Sequence, residues 1–423
     1  MNVLIIGSGA REHAFCWQIK DSKILSKLYV APGNAGTGKI AENLEISISD
    51  FQEIKSVLIT KKINLIIIGP EIPLIDGLTD FIKNDPVLKE VLVIGPSALG
   101  SMLEGSKDFS KEFMSKHKIP TASYKTFESS SLKDGLDYLN SISPPYVLKA
   151  DGPAAGKGVL ILNDLVKAKE ELSNMLLKNK FGKSGHKVVV EGFLSGIELS
   201  CFVLLDGKSY LTLPSAKDYK RIGEGDKGLN TGGMGSISPV PFANQDFLSK
   251  IDNKIIKPTV YGIIKDKLDY VGFLFIGIIK VENEPFVIEY NVRMGDPESQ
   301  VVLPRVKNDF LELMIKTAIG KLDTIKIEVD EMSYSNVVMV SGGYPEAYEK
   351  GKKITGLNKE YESIVLHAGT KKQNNNIITN GGRVLSVISK GKDFRSALSK
   401  SYKTIESIDF EGKFFRKDLG FDL

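Results

Sequence analysis

The run Glu289-Tyr290-Asn291-Val292-Arg293-Met294-Gly295-Asp296-Pro297-Glu298 follows an apolar stretch, residues 285–288, with the composition of a strand entering the protein. Residues two apart on a strand share a face, so Glu289, Asn291 and Arg293 are expected to project together. A carboxylate, an amide and a guanidinium on one face suit a hard metal ion and the phosphates whose charge it offsets. Gly295-Asp296-Pro297 then ends the strand and leaves Asp296 and Glu298 near the same spot. A polar sheet edge closed by a turn would look the same, and for an isolated E-x-N-x-R that is the commoner meaning.

Four other segments bear on the choice. Gly7-Ser8-Gly9-Ala10-Arg11-Glu12 has Glu12 where a dinucleotide fingerprint needs a small residue. It remains either a plain strand-to-helix turn or a helix N-terminus whose N–H groups hold a sugar phosphate. The stretch 151–158, Asp-Gly-Pro-Ala-Ala-Gly-Lys-Gly, lacks the Ser/Thr after Lys157 and carries Asp151 where a P-loop has glycine. What is left is a small-residue loop able to close over phosphates, with Lys149 on the strand before it, or a hairpin turn. Glu191-Gly192-Phe193-Leu194 ends a strand and could offer backbone groups to an adenine edge, with Glu198 near the ribose. Alone, that segment reads better as a solvated loop. Lys217-Asp218-Tyr219-Lys220-Arg221 and residues 230–235 flank a glycine-rich segment, and 230–235 is expected to be a mobile loop that approaches a ligand with its backbone, or else a plain surface loop. Their order (helix with Lys107, strand with Lys149, small-residue loop, hinge at 191–194, Glu198, then Glu289-x-Asn291-x-Arg293) is far harder to reach by chance than any one of them.

The elements that must carry these groups follow from hydrophobic patterning. Residues 1–100 alternate buried-type strands at 3–6, 28–31, 64–68 and 91–94 with helical spacing, which predicts a parallel doubly wound sheet. Ligands sit beyond the carboxyl ends of such strands, here 7–11, 32–36, 69–71 and 95–97. Residues 101–190 read as a separate α/β unit, with a helix at 107–117 and strands at 146–149, 159–162 and 188–190. Strands resume at 201–205, 276–281 and 286–288, followed by a helix at 310–319. Beyond residue 331 strands at 335–340, 364–367 and 384–389 precede a helix at 394–405, and 371–376 is a polar hairpin tip.

A chain of 423 residues suggests about three domains. The net charge of +4 is spread without a Lys/Arg block, which argues against nucleic-acid binding. No apolar run approaches the length of a membrane span. Cys16 and Cys201 form no C-x-x-C pair and are expected to be small buried residues of a reducing compartment, and the start of the chain has no secretory-signal pattern. The expectation is a cytoplasmic protein.

On these residues the chain resembles the glycinamide ribonucleotide synthetase family of ATP-grasp ligases. Matching stretches include 3–13, 31–36, 69–74, 106–121, 148–159, 191–200, 218–239, 289–300, 367–370 and 415–420. It departs from the family at Ala10 for glycine, Gly192 for glutamate, Lys217 and Tyr219 for glutamine and histidine, and Met294 for phenylalanine. The resemblance implies an α/β and α+β multidomain protein. Its parts would be a doubly wound domain over 1–101, a two-lobed ATP-grasp domain over 102–330 with a mobile lid at about 121–191, and a small mixed α/β domain over 331–423. It implies ligation of glycine to 5-phosphoribosylamine with ATP through a glycyl phosphate, in purine synthesis. Another ATP-grasp carboxylate–amine ligase of that pathway is the alternative. Mg²⁺ or Mn²⁺ would be held by Glu289 and Asn291. ATP would be held by Lys107, Lys149, Gly152, Ala155, Gly156, Lys157, Glu191, Gly192, Phe193, Leu194, Glu198, Arg221 and Asn230. Arg293, Asp218 and Asp296 would be catalytic. Gly7, Gly9, Arg11, Gly33, Asn34, Glu71, Lys220 and Glu298 would bind the other substrates. Partners would be these small molecules only, with neither nucleic acid nor membrane, and the enzyme would be a monomer.

Overall fold

The computed structural model describes residues 1–154, 158–178 and 185–423. The first sheet is all parallel, in the order Glu42–Asn43, Lys27–Pro32, Asn2–Gly7, Leu65–Ile68, Leu92–Ile94. Val3, Leu4, Ile5 and Ile6 are wholly buried, as a central parallel strand covered on both faces requires. The predicted layout is therefore present. One of its expected ligand ends is closed, because Gly95 N–H donates to the Val271 carbonyl and Ser97 Oγ to that of Leu268.

A second, antiparallel sheet runs Tyr124–Glu128, Lys187–Glu191, Tyr146–Ala150, Val159–Leu162. The helices Leu132–Ser141 and Leu165–Leu177 cover one face through Leu139, Ala168, Leu172 and Met175. Ala155, Gly156 and Lys157, expected in the phosphate loop between two of these strands, lie outside the described residues.

The third sheet has eight antiparallel-paired strands: Glu284–Asn291, Val271–Val281, Ile197–Asp206, Tyr210–Asp218, Gly235–Ser238, Ser333–Val340, Arg383–Gly391 and Ile364–His367. It runs on through the domain limit expected at 330, since Gly235–Ser238 pairs with Ser333–Val340. Sequence patterning misses Tyr210–Asp218 and the helices Gln245–Ile251 and Lys257–Lys265. In the strand Tyr210–Asp218 burial is uneven, so neither alternation nor a continuous apolar run marks it.

The glycine-rich segment between the 217–221 and 230–235 motifs is a hairpin, Arg221–Gly223 against Lys227–Asn230. Its turn places Gly225 and Asp226 at φ +62° and +52°. Arg416, wholly buried, ties it down through Asp226 at 2.6 Å and Asp418 at 2.8 Å, and Gly225 N–H donates to Asp418. No helix among the described residues is long and apolar enough to cross a membrane.

Candidate active site

The edge strand Glu284–Asn291 lies beside Val271–Val281, and Gly277 is directly opposite Glu289. With no side chain at Gly277, the space above the strand stays open. Glu289, Asn291 and Arg293 all line one cleft of about 690 Å³, as the period-two argument predicts. Its wall also holds Glu71, Lys107, Glu198, Asp218, Lys220, Arg221, Asn230, Asp296 and Glu298, brought together from helices, strands and turns far apart in the chain.

Arg293 is fixed from two sides. Nη2 meets Glu104 Oε1 at 2.7 Å and Nε lies 3.4 Å from Glu71 Oε2. The other Glu104 oxygen accepts the Val292 N–H at 2.7 Å. Burial pushes the Glu104 carboxyl up to about 7 against the pull of Arg293. Sequence reasoning missed Glu104, which sits in an unremarkable helix, Ala98–Gly105, with no motif around it.

Glu191 does not present itself to the cleft as a free carboxylate. It is 4 % exposed and lies between Lys149 at 2.9 Å and Lys111 at 3.0 Å. Burial opposes its ionisation, yet the two ammoniums hold it below the usual carboxylate range, while burial takes Lys111 down to about 8. Lys111 was also missed, although it stands one helical turn after Lys107 on the same cleft-facing side. Removing the shared carboxylate leaves two buried cations facing each other. Glu191→Ala is expected to cost about 3–5 kcal/mol in urea unfolding, and a loss under 1 kcal/mol would show that the triad is already solvated. Lys107 points Nζ at the Gly152 carbonyl, 3.3 Å away, at the base of the small-residue loop. Gly192, Phe193 and Leu194 lie outside the cleft wall; the Gly192 N–H is taken by the Ser123 carbonyl and Phe193 is exposed.

The carboxylates at the other end have distinct partners. Lys220 pairs with Glu198 at 2.7 Å, and Glu298 accepts from Ser200 Oγ at 2.9 Å. Burial, then the nearby Asp218, pushes Glu298 up to about 7; burial also raises Asp218. Asp296 accepts from Gln300 Nε2 at 2.8 Å and pairs with Arg383 at 3.1 Å. Lys217, the departure from glutamine, reaches Asp422 at 3.1 Å, and Tyr219 donates to the same carboxylate at 3.0 Å.

Five expected substrate-binding residues have partners within the protein. Glu12 is 2 % exposed and its Oε2 accepts the Gly9 N–H at 2.6 Å. A Cβ at Gly7 or Gly69 would run into this same side chain. The anion cradle expected at Gly7–Arg11 is thus filled by the protein's own carboxylate, which suits a helix N-terminus as well as a phosphate would. Arg11 is spent on Glu12 at 2.8 Å and the Met294 carbonyl at 3.0 Å. Gly33 (φ +74°) packs on Asn43. Asn34 donates to the Ser8 and His367 carbonyls and accepts from Gly36 and Thr37 N–H, so its side chain has no capacity left for a ligand. Glu71, Lys220 and Glu298 do face the cleft.

Among the described residues no cluster of three or more His, Cys, Asp or Glu could cage a metal. The donor set fits a cation shared with a ligand. Glu289 lines the cleft, and Asn291 donates Nδ2–H to the Tyr290 carbonyl, leaving its amide oxygen as the acceptor end. One carboxylate and one amide oxygen leave most positions of a hard cation to water and phosphate oxygens.

Comparison with known proteins agrees with this geometry. Three profiles described as phosphoribosylglycinamide synthetase match in chain order: the N domain at 1–104, the ATP-grasp (A) domain at 105–299 and the C domain at 334–422. A phosphoribosylamine–glycine ligase of Caldanaerobacter subterraneus is 42% identical over 419 residues, 99% of each chain. The crystal structure of the Thermotoga maritima phosphoribosylamine–glycine ligase superposes with a TM-score of 0.86 at 34% identity, covering 99% of this chain and 100% of that one. A biotin carboxylase from Campylobacter jejuni, at 14% identity and TM-score 0.74 over 97% of this chain and 92% of its own, shares the fold. With one cleft built from all three matched segments, the chain belongs to the phosphoribosylglycinamide synthetase family and carries an ATP-grasp fold.

Proposed function

We propose that the protein ligates glycine to 5-phosphoribosylamine with ATP, giving glycinamide ribonucleotide, ADP and phosphate. The observation that carries this reading is the convergence of Glu289 and Asn291 with Arg293, Asp296 and Glu298 in one cleft. A carboxylate is a poor electrophile. Transfer of the γ-phosphoryl group to a glycine oxygen makes a glycyl phosphate; the ribosylamine nitrogen then attacks the carbonyl carbon, the C–O bond to phosphate breaks, and the nitrogen gives up a proton. Such chemistry is helped mainly by positioning and charge neutralisation.

In this reading Glu289 and Asn291 hold Mg²⁺ or Mn²⁺, which supplies charge neutralisation on the ATP phosphates. Lys107 faces the phosphates from below the small-residue loop and Lys149 stands behind it. Lys157 is assigned there by resemblance alone. Arg221 and Asn230 flank the nucleotide from the hairpin, and Glu198 takes the ribose. Arg293 offsets charge on the transferring phosphoryl group and the glycine carboxylate, with Asp218 and Asp296 toward the glycine ammonium. The domain limits 1–101, 102–330 and 331–423, with the Tyr124–Glu191 sheet as a closing lid, fit this division of labour. A monomer in the cytoplasm is the accompanying assignment. Cys16 and Cys201 are unpaired and buried, which suits a reducing compartment.

The test is ADP release with ATP, a divalent cation, glycine and phosphoribosylamine formed from ribose 5-phosphate and ammonia. Release is expected to require glycine and the ribosylamine together. Release that is indifferent to glycine overturns the reading, and release with a different acid–amine pair selects another ligase of the same fold.

A further inference from the structure

We propose that Arg383 is a positioning residue for the glycine end of the cleft, acting through Asp296 and the Gly232–Gly233 turn. The inference rests on the ligase reading above and adds to it a residue to which sequence reasoning assigned no role. Arg383 begins the strand Arg383–Gly391, in the last third of the chain. It does not itself line the cleft, but both segments it touches do.

One guanidinium bridges three acceptors. Nη1 donates to the Gly232 carbonyl at 2.5 Å and to the Asp296 carbonyl at 2.8 Å, and Nη2 pairs with the Asp296 carboxylate at 3.1 Å. Burial opposes ionisation of Asp296, but Arg383 and then Arg11 hold it below the usual range, so it faces the cleft as an anion. Gly232 is gripped from its other side too, since its N–H donates to Tyr344 Oη at 2.9 Å. A Cβ on Gly233 (φ +112°) would fall 2.3 Å from Pro297 Cδ, so the two turns touch backbone to ring. Beneath them, the Pro297 carbonyl accepts from Ser236 Oγ at 2.7 Å and from Asn336 Nδ2 at 3.3 Å. The turns at 230–235 and 295–298, far apart in sequence, are therefore one mechanical unit bolted by Arg383. A planar fork is needed because the three oxygens lie in two different turns, and an ammonium is a point charge.

Because Arg383 acts through the groups that face glycine, its loss should fall on glycine use and not on ATP. A misplacement of about 1 Å can cost about 10²-fold in rate. The experiment is initial-rate kinetics of Arg383→Met, Arg383→Lys and Tyr344→Phe, with thermal unfolding of each. Expected is a loss of about 10–10²-fold in kcat/KM for glycine in Arg383→Met, partial recovery in Arg383→Lys, and a smaller loss of the same kind in Tyr344→Phe, with KM for ATP within about twofold of wild type. If Arg383→Met does not fold, Arg383→Lys and Tyr344→Phe carry the test. Equal losses against glycine and ATP, a loss that follows the unfolding temperature alone, or no loss overturns the proposal. A wild-type enzyme that ignores glycine would instead defeat the ligase reading, so the two failures are distinct.

Discussion

Arg293→Ala is expected to lower kcat for glycine-dependent ADP release by about 10²–10³-fold, the usual cost of one preorganised donor aimed at developing charge. The structure says why the donor is preorganised: Glu104 grips Nη2 at 2.7 Å and is itself held by the Val292 N–H. The same contacts predict a side effect. Without the guanidinium, Glu104 remains as a buried carboxyl that has lost its counter-ion, so Arg293→Ala should also be destabilised, and Glu104 should take up a proton. The double variant Arg293→Ala/Glu104→Gln separates the two effects. Unfolding temperature should recover while kcat stays low. Recovery of both would mean that Arg293 acts only as a structural counter-ion. Arg293→Lys should rescue little, because Lys cannot span Glu104 and Glu71 while still presenting charge to the cleft.

A second large effect is expected at Glu289. Glu289→Gln keeps the shape and removes the charge, and should raise the divalent-cation concentration for half-maximal rate by about 10²-fold. Mn²⁺ binding in the presence of a non-hydrolysable ATP analogue should weaken in parallel. Unchanged Mn²⁺ affinity in that variant would remove Glu289 from the metal site and leave Asn291 without its partner.

Much of the site was legible because it is local in sequence. Glu289, Asn291 and Arg293 could be placed on one face from strand periodicity alone, and they share the cleft. The parallel N-terminal sheet was legible for a similar reason: strands buried on both faces leave continuous apolar runs such as 3–6 and 65–68. The sequence is silent where a side chain answers to a partner far away. Glycines at 7, 9 and 33 look like phosphate loops because glycine frees the backbone, but only the folded chain shows that Glu12, Thr37 and Asn43 fill the space. Asn34 is indistinguishable from a ligand-binding amide until its side-chain hydrogen bonds to Ser8, His367, Gly36 and Thr37 are seen.

Residue type and strand periodicity were enough to expect Glu289, Asn291 and Arg293 on one face, a carboxylate, an amide and a guanidinium suited to a cation and phosphates. The roles of the lysines upstream rested on the resemblance to ATP-grasp ligases. Only the tertiary structure decided which charges are free to act. Glu191 is shared by two lysines, Glu198 is paired with Lys220, and Asp296 is tied to Arg383 from a strand late in the chain. The physical reason is that Coulomb pairing and desolvation depend on distance in space: Lys111 and Lys149 reach Glu191 from a helix and a neighbouring strand, and Asp296 meets Arg383 only when the eight-stranded sheet closes across the domain limit expected at 330.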